Sequence, residues 1–212
     1  MRPFAPLLAV LGVLALVAFA PPARADALSE QESIRLARGE TVIREHTWEP
    51  GRSARFVGGV TYTIVDAAPA EIAAMFDDVE AYRRVLPRTK RARFVGIEPN
   101  GDRLVEIVTG TALVEAEYTL RVRQDTQGGT RLVRFWIEPN RPHEIDDAWG
   151  FFRTQPFAGP AGEQRVLLTY AILVDLGPGI VRELFEERVR TALLSVPQLV
   201  RRYVAEGRHP GY

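Results

Sequence analysis

The residue types that do chemistry are few in this chain, and their spacing is unhelpful to most reactions. The three histidines are His46, His143 and His209, none with a second histidine at helical or strand spacing. His143-Glu144-Ile145-Asp146-Asp147 gathers one imidazole and three carboxylates, a donor set that suits a metal in kind. Its spacing matches no standard zinc or calcium site, so the reading is an acid-rich loop with no metal and no cofactor. Ser29, Ser33, Ser53 and Ser195 lack the tight elbow that presents a nucleophilic serine. Neither Gly58-Gly59 nor Gly177-Pro178-Gly179 leads into the Lys-Ser/Thr of a phosphate loop. There is no cysteine, which excludes thiol chemistry, disulfides and a lipid-modified N-terminus. Glu115 and Glu117 share a strand face, where a pocket would split their pKa values into an acid/base pair. Thr119, Arg121 and Arg123 lie on that same face, so solvent exposure with cross-strand arginine pairing is expected instead. No catalytic residue is assigned.

Aromatic residues carry more of the signal. Trp136, Trp149, Phe151, Phe152 and Phe157 cluster, and Tyr118 and Tyr170 sit on apolar strand faces. They either fill a core or line a cavity, offering an apolar wall with a few polar handles. Arg153 falls between Phe151-Phe152 and Pro156-Phe157; it either alternates to solvent or reaches a ligand head group or interior acid.

These residues are positioned by a regular order of elements. Leu28–Arg38 reads as a short helix and Glu40–Trp48 as extended chain, with a turn at Glu49-Pro50-Gly51-Arg52. Arg55–Asp66 is a strand. Pro69 then opens a helix with Ile72, Met75, Phe76 and Val79 as its buried face, and a second short turn through Tyr82 and Val85 stops at Leu86-Pro87. Strands follow at Arg91–Glu98, Arg103–Gly110, Ala112–Val122, Thr130–Ile137, Gly150–Pro156 and Gln164–Leu176. After Gly177-Pro178-Gly179 comes one long amphipathic helix carrying Val181, Phe185, Val189, Ala192, Val196, Leu199 and Tyr203. Pro197 predicts a kink near Leu193–Ser195, either to follow a curved sheet or to act as a hinge. The class is α+β: a curved antiparallel sheet wrapped around a long C-terminal helix, with two short helices after the first strand.

Ahead of this lies a charge-free apolar run from Leu7 to Phe19, broken by Pro21-Pro22 and followed by Ala23-Arg24-Ala25. That pattern is a secretory signal cleaved after Ala25, the alternative being an inner-membrane anchor through residues 7–19. The expected localisation is periplasmic or secreted. The remainder suits one domain: an N-terminal helix and extended segment at 26–54, the main domain at 55–206 and a flexible tail at 207–212. Lysine plus arginine balance aspartate plus glutamate at 27 each, which provides no long-range pull toward nucleic acid.

The order of elements resembles the START-like or Bet v 1-like helix-grip superfamily, also called SRPBCC. Ile64–Ile72 is similar to that family's first strand running into its paired helices. Asp78-Val79-Glu80-Ala81-Tyr82 with Leu86-Pro87 resembles the polyketide cyclase and coenzyme Q-binding branch. The resemblance implies a hydrophobic cavity between sheet and C-terminal helix. Candidate cavity-lining residues are Tyr118, Leu120, Trp136, Phe152, Arg153, Tyr170, Ile172, Phe185 and Val189. The expected function is to hold a hydrophobic small molecule or lipid, with transient membrane contact as a further option and no protein partner assigned. The alternatives are a cyclase- or hydrolase-type enzyme on the same scaffold, and an interaction module whose cavity is filled.

Overall fold

Alternating apolar residues become strands β1 (Val42–Trp48), β2 (Phe56–Val65), β3 (Thr89–Ile97), β4 (Arg103–Gly110), β5 (Glu115–Gln127), β6 (Thr130–Ile137), β7 (Asp147–Ala158) and β8 (Gln164–Asp175). They pair antiparallel throughout in one sheet ordered β1-β2-β8-β7-β6-β5-β4-β3. This is a computed structural model; it describes residues 27–51, 54–110, 115–158 and 164–208. The expected signal at 1–25 and residues 209–212 of the expected tail lie outside the described residues. Helices α1 (Glu30–Ala37), α2 (Pro69–Asp77), α3 (Val79–Val85), α4 (Ile180–Leu194) and α5 (Val196–Arg208) complete the described fold. It is the α+β helix-grip arrangement. No described helix is long and apolar enough to cross a membrane.

The sheet curves because glycines let backbones meet at its middle. Gly59 of β2 and Gly150 of β7 both stand opposite Ile172 of β8. A Cβ at Gly58 would lie 1.9 Å from the Ile172 carbonyl oxygen, and one at Gly150 would lie 2.2 Å from that of Ala171 and 2.6 Å from Phe135 Cζ. Side chains are excluded there by contact with backbone, which no rotamer change relieves.

Two apolar clusters use the two faces. The main one lies on the concave face beneath the helices and includes Val65, Ile72, Phe76, Ile107, Phe152, Leu168, Tyr170 and Val200. A smaller one of Leu36, Val42, Tyr62 and Ile64 lies on the other face under α1. There Ser29 and Glu32 form a capping box, and the Arg44 fork grips Glu32 at 2.8 and 2.6 Å, holding that carboxyl down at about 2. The face of β5 that carries Thr119, Arg121 and Arg123 is also partly covered. Arg123 donates to Asp102 at 2.7 and 2.8 Å, and Arg121 to Glu138 at 2.6 Å, with both carboxylates almost fully buried.

The closing helix is two helices broken at Ser195, where the sequence predicts one helix with a kink. Pro197 has no N–H to give, so the regular ladder stops there. The Gln198 and Leu199 N–H groups both turn to the Ser195 carbonyl. This frees the Leu194 carbonyl, which accepts a 3.0 Å bond from the buried Thr61 hydroxyl of β2. The break is thereby fastened to the sheet. Thr61→Val keeps the shape and leaves that carbonyl unpaired, so urea titration should find about 1–3 kcal/mol less stability with an unchanged m-value.

A second expectation concerns acid. The Arg123 guanidinium holds the Asp102 carboxyl below its usual 3.8. Burial pushes the Glu138 carboxyl up, but Arg121 and the Asn140 amide outweigh it and hold it below its usual 4.5. Carboxyls lowered in the folded state add stability above the unfolded pKa and lose it as pH falls through the folded one. Stability should therefore decline as pH drops below about 5, and Asp102→Asn should flatten that decline in urea titrations taken across the acid range.

Candidate ligand-binding cavity

The concave face is not filled. Beneath α4 the sheet encloses a cavity of about 400 Å³, within the range of about 300–1,000 Å³ typical of small-molecule sites. Its wall is built from alternate residues of four strands: Ala116, Tyr118, Leu120 and Val122 of β5, Val133 and Phe135 of β6, Ala148 and Phe152 of β7, and Tyr170, Ile172 and Val174 of β8. The helix side is Phe185, Val189, Ala192 and Leu193 of α4 with Val196 of α5. Gly110, Ala116, Ala148 and Ala192 leave the space open, since none reaches far from its backbone. Aromatic rings close one end. Phe152 sits 4.8 Å from Phe76, 4.5 Å from Tyr170 and 5.8 Å from Phe135, centroid to centroid.

Of the nine candidate residues, the structure brings Tyr118, Leu120, Phe152, Tyr170, Ile172, Phe185 and Val189 to this wall. Trp136 and Arg153 are not among the wall residues. Trp136 alternates with the inward Phe135 and faces the opposite side of β6, where the Arg123 guanidinium lies 5.5 Å from its ring. Arg153 alternates with the inward Phe152 and sits on the outer side of β7 beside Leu132 and Thr169. Arg134, two residues before Trp136, was the available signal for β6, because a charge there marks the outer face. Phe135, Phe76, Val133 and Ala148 are wall residues that the sequence reading did not single out. Leu86, Pro87, Arg88, Glu144 and Ile145 come from loops, where no periodicity announces direction.

The polar groups inside are phenols. Tyr82 donates to the Phe76 carbonyl at 3.2 Å, and burial pushes its phenol up to about 12. Burial also pushes the Tyr118 and Tyr170 phenols up, and the nearby Tyr118 adds to the shift of Tyr170. Among the described residues neither of these two hydroxyls has a hydrogen-bond partner, although Tyr170 is only 1% exposed. Both stay protonated at neutral pH and present an O–H donor to the cavity. In the acid-rich loop His143 Nδ1 lies 2.8 Å from the Ile145 carbonyl, and Glu144 accepts the Glu117 N–H at 2.8 Å. Among the described residues no group of histidines and carboxylates comes together to hold a metal ion.

An unpartnered hydroxyl contributes nothing to folding and costs its desolvation. Tyr170→Phe and Tyr118→Phe should leave the melting temperature unchanged or slightly higher. Phe152→Ala, at the centre of the ring cluster, should cost about 3–5 kcal/mol by chemical denaturation.

No family model matches this sequence, and no curated protein sequence does either. Solved structures do. A STAR-related lipid transfer protein from Xanthomonas axonopodis is 13% identical with a TM-score of 0.58, covering 76% of this chain and 98% of that one. A START superfamily protein from Mycobacterium smegmatis is 13% identical with a TM-score of 0.55, covering 69% and 96%. Human StAR-related lipid transfer protein 5 is 10% identical with a TM-score of 0.53, covering 78% and 88%. At such identities the likeness is one of fold. The chain has the START-like helix-grip fold.

Proposed function

We propose that this protein holds a hydrophobic small molecule or lipid in the cavity beneath α4. The observation that carries the reading is the void itself, about 400 Å³ walled by aliphatic and aromatic side chains in a core that could have been filled. Ligand surface buried there is favoured by about 25 cal/mol per Å², less the cost of immobilising the ligand. The protonated Tyr118 and Tyr170 hydroxyls suit a ligand carrying an acceptor oxygen, such as a carbonyl, within its apolar body. Being held above neutrality, they act as donors and not as bases, which favours holding over proton-abstracting catalysis.

The resemblance of Asp78–Tyr82 and Leu86-Pro87 to the polyketide cyclase and coenzyme Q-binding branch supports a shared scaffold. Each motif residue has a structural task here. Asp78 caps α3 by accepting the Glu80 N–H at 2.9 Å, Tyr82 ties α3 to the end of α2, and Leu86 and Pro87 wall the cavity. The apolar run at 7–19 with Ala23-Arg24-Ala25 supports export, so the ligand would be met outside the cytoplasm.

Native mass spectrometry of protein isolated from its own exported fraction, with organic extraction, tests the reading. A stoichiometric adduct of one compound class is expected. Val189→Trp, which places an indole in the cavity, should lose the adduct while keeping the melting temperature. A protein that stays bare after exposure to total membrane lipid would overturn the proposal.

A further inference from the structure

The cavity's rim has a charge pattern that an apolar interior does not require. Beside the cavity is a shallower recess of about 360 Å³, and Arg88, Arg188 and Ala192 line both. The two arginines thus stand where a molecule lying in the cavity would reach solvent. Arginines elsewhere are mostly engaged with carboxylates: Arg55 with Glu186, Arg93 with Glu106, Arg103 with Asp77, Arg123 with Asp102 and Arg165 with Asp66. Among the described residues Arg88 and Arg188 make no ion pair and no side-chain hydrogen bond, and the Arg188 guanidinium rests 5.8 Å from the Phe185 ring.

The carboxylates of the rim are the opposite case. Glu115 is paired with Lys90, Glu144 accepts the Glu117 N–H, and Glu187 is held by Arg190 at 2.8 Å. An incoming anion therefore meets two guanidinium forks with free donors and three carboxylates already engaged. The backbone beneath Arg88 is also set with some force. Arg88 is the one non-glycine residue of left-handed conformation among those described, at φ 56°. Its carbonyl accepts the Gly110 N–H at 3.0 Å and the Thr109 hydroxyl at 3.2 Å. Such a conformation costs energy and persists only where its surroundings enforce it.

We propose that the ligand is an anionic amphiphile, its apolar body in the cavity and its carboxylate or phosphate monoester head between Arg88 and Arg188. Both heads present the paired oxygens that a guanidinium fork matches. This rests on the ligand-holding reading above and names the ligand's class.

The test is displacement of Nile red from the full chain by dodecanoate, dodecyl phosphate and dodecanol, which share one tail. Wild-type protein should prefer the better anion over the alcohol by about tenfold, a value suited to partly exposed ion pairs. The double variant Arg88→Ala/Arg188→Ala should bind dodecanol as the wild type does and lose the preference, whereas Arg88→Lys/Arg188→Lys should retain part of it. Neither side chain is buried, so both variants should melt like the wild type. Whichever anion gains more identifies the head group. If dodecanol binds as tightly as both anions, or the preference survives in the double alanine variant, this proposal falls and the cavity reading stands. If neither dye nor any of the three chains binds wild-type protein, both fall together.

Discussion

The structure depends on one mismatch of shape: a sheet bent sharply enough to have an inside, and a helix too slender to fill it. The bend comes from close backbone approach at Gly58 and Gly150, packed against Ile172 and Ala171 of β8, and at Gly59, packed against Arg44 of β1. Once the strands curve around α4, their inward residues must be covered, because they are apolar and numerous. Protein interiors normally close such spaces to near crystal density. Here they are closed only at one end, where Phe76, Phe135, Phe152 and Tyr170 stack together. At the other end Gly110, Ala116, Ala148 and Ala192 decline to fill the gap. Void and ring cluster are two consequences of one residue distribution.

Much of this was legible in sequence because period and punctuation are local. β4 and β6 run over the residues their alternation marks, and Pro69 and Pro87 bracket the two short helices. Inward residues were legible where a strand alternates cleanly: Tyr118 and Leu120 on β5, Tyr170 and Ile172 on β8. Direction is harder to read where large apolar residues adjoin, as at Phe135-Trp136, where Phe135 lines the cavity and Trp136 lies beside Arg123 on the other face. The break at Ser195 was anticipated as a kink; its fastening was not, because Thr61 and Leu194 are distant in sequence and meet only in the fold. Rim residues such as Arg88 and Glu144 were illegible for the same reason, being placed by loops and by cross-strand partners.

Charge is distributed by the same geometry. Arg121 and Arg123 of β5 lie close to Asp102, just before β4, and Glu138, just after β6, because each finds a partner of opposite sign. A buried charge without a partner would cost several kcal/mol; the ionised residues of the cavity, Arg88, Glu115, Glu144 and Arg188, stand at its rim, and its deeper polar groups are hydroxyls. Charges reappear where water does, at the rim.

That division bears on what the cavity is able to do. Hydrolysis or cyclisation by proton abstraction needs a group that accepts a proton near neutrality beside the reacting atom. The interior polar groups here are Tyr82, Tyr118 and Tyr170, all shifted the other way by burial. At neutral pH these phenols stay protonated and act as hydrogen-bond donors. The Tyr170 hydroxyl has no hydrogen-bond partner among the described residues, and Tyr170 lines the cavity. On the ligand-holding reading proposed above, a bound acceptor oxygen would take that hydrogen bond, and binding to the folded state alone would raise its stability.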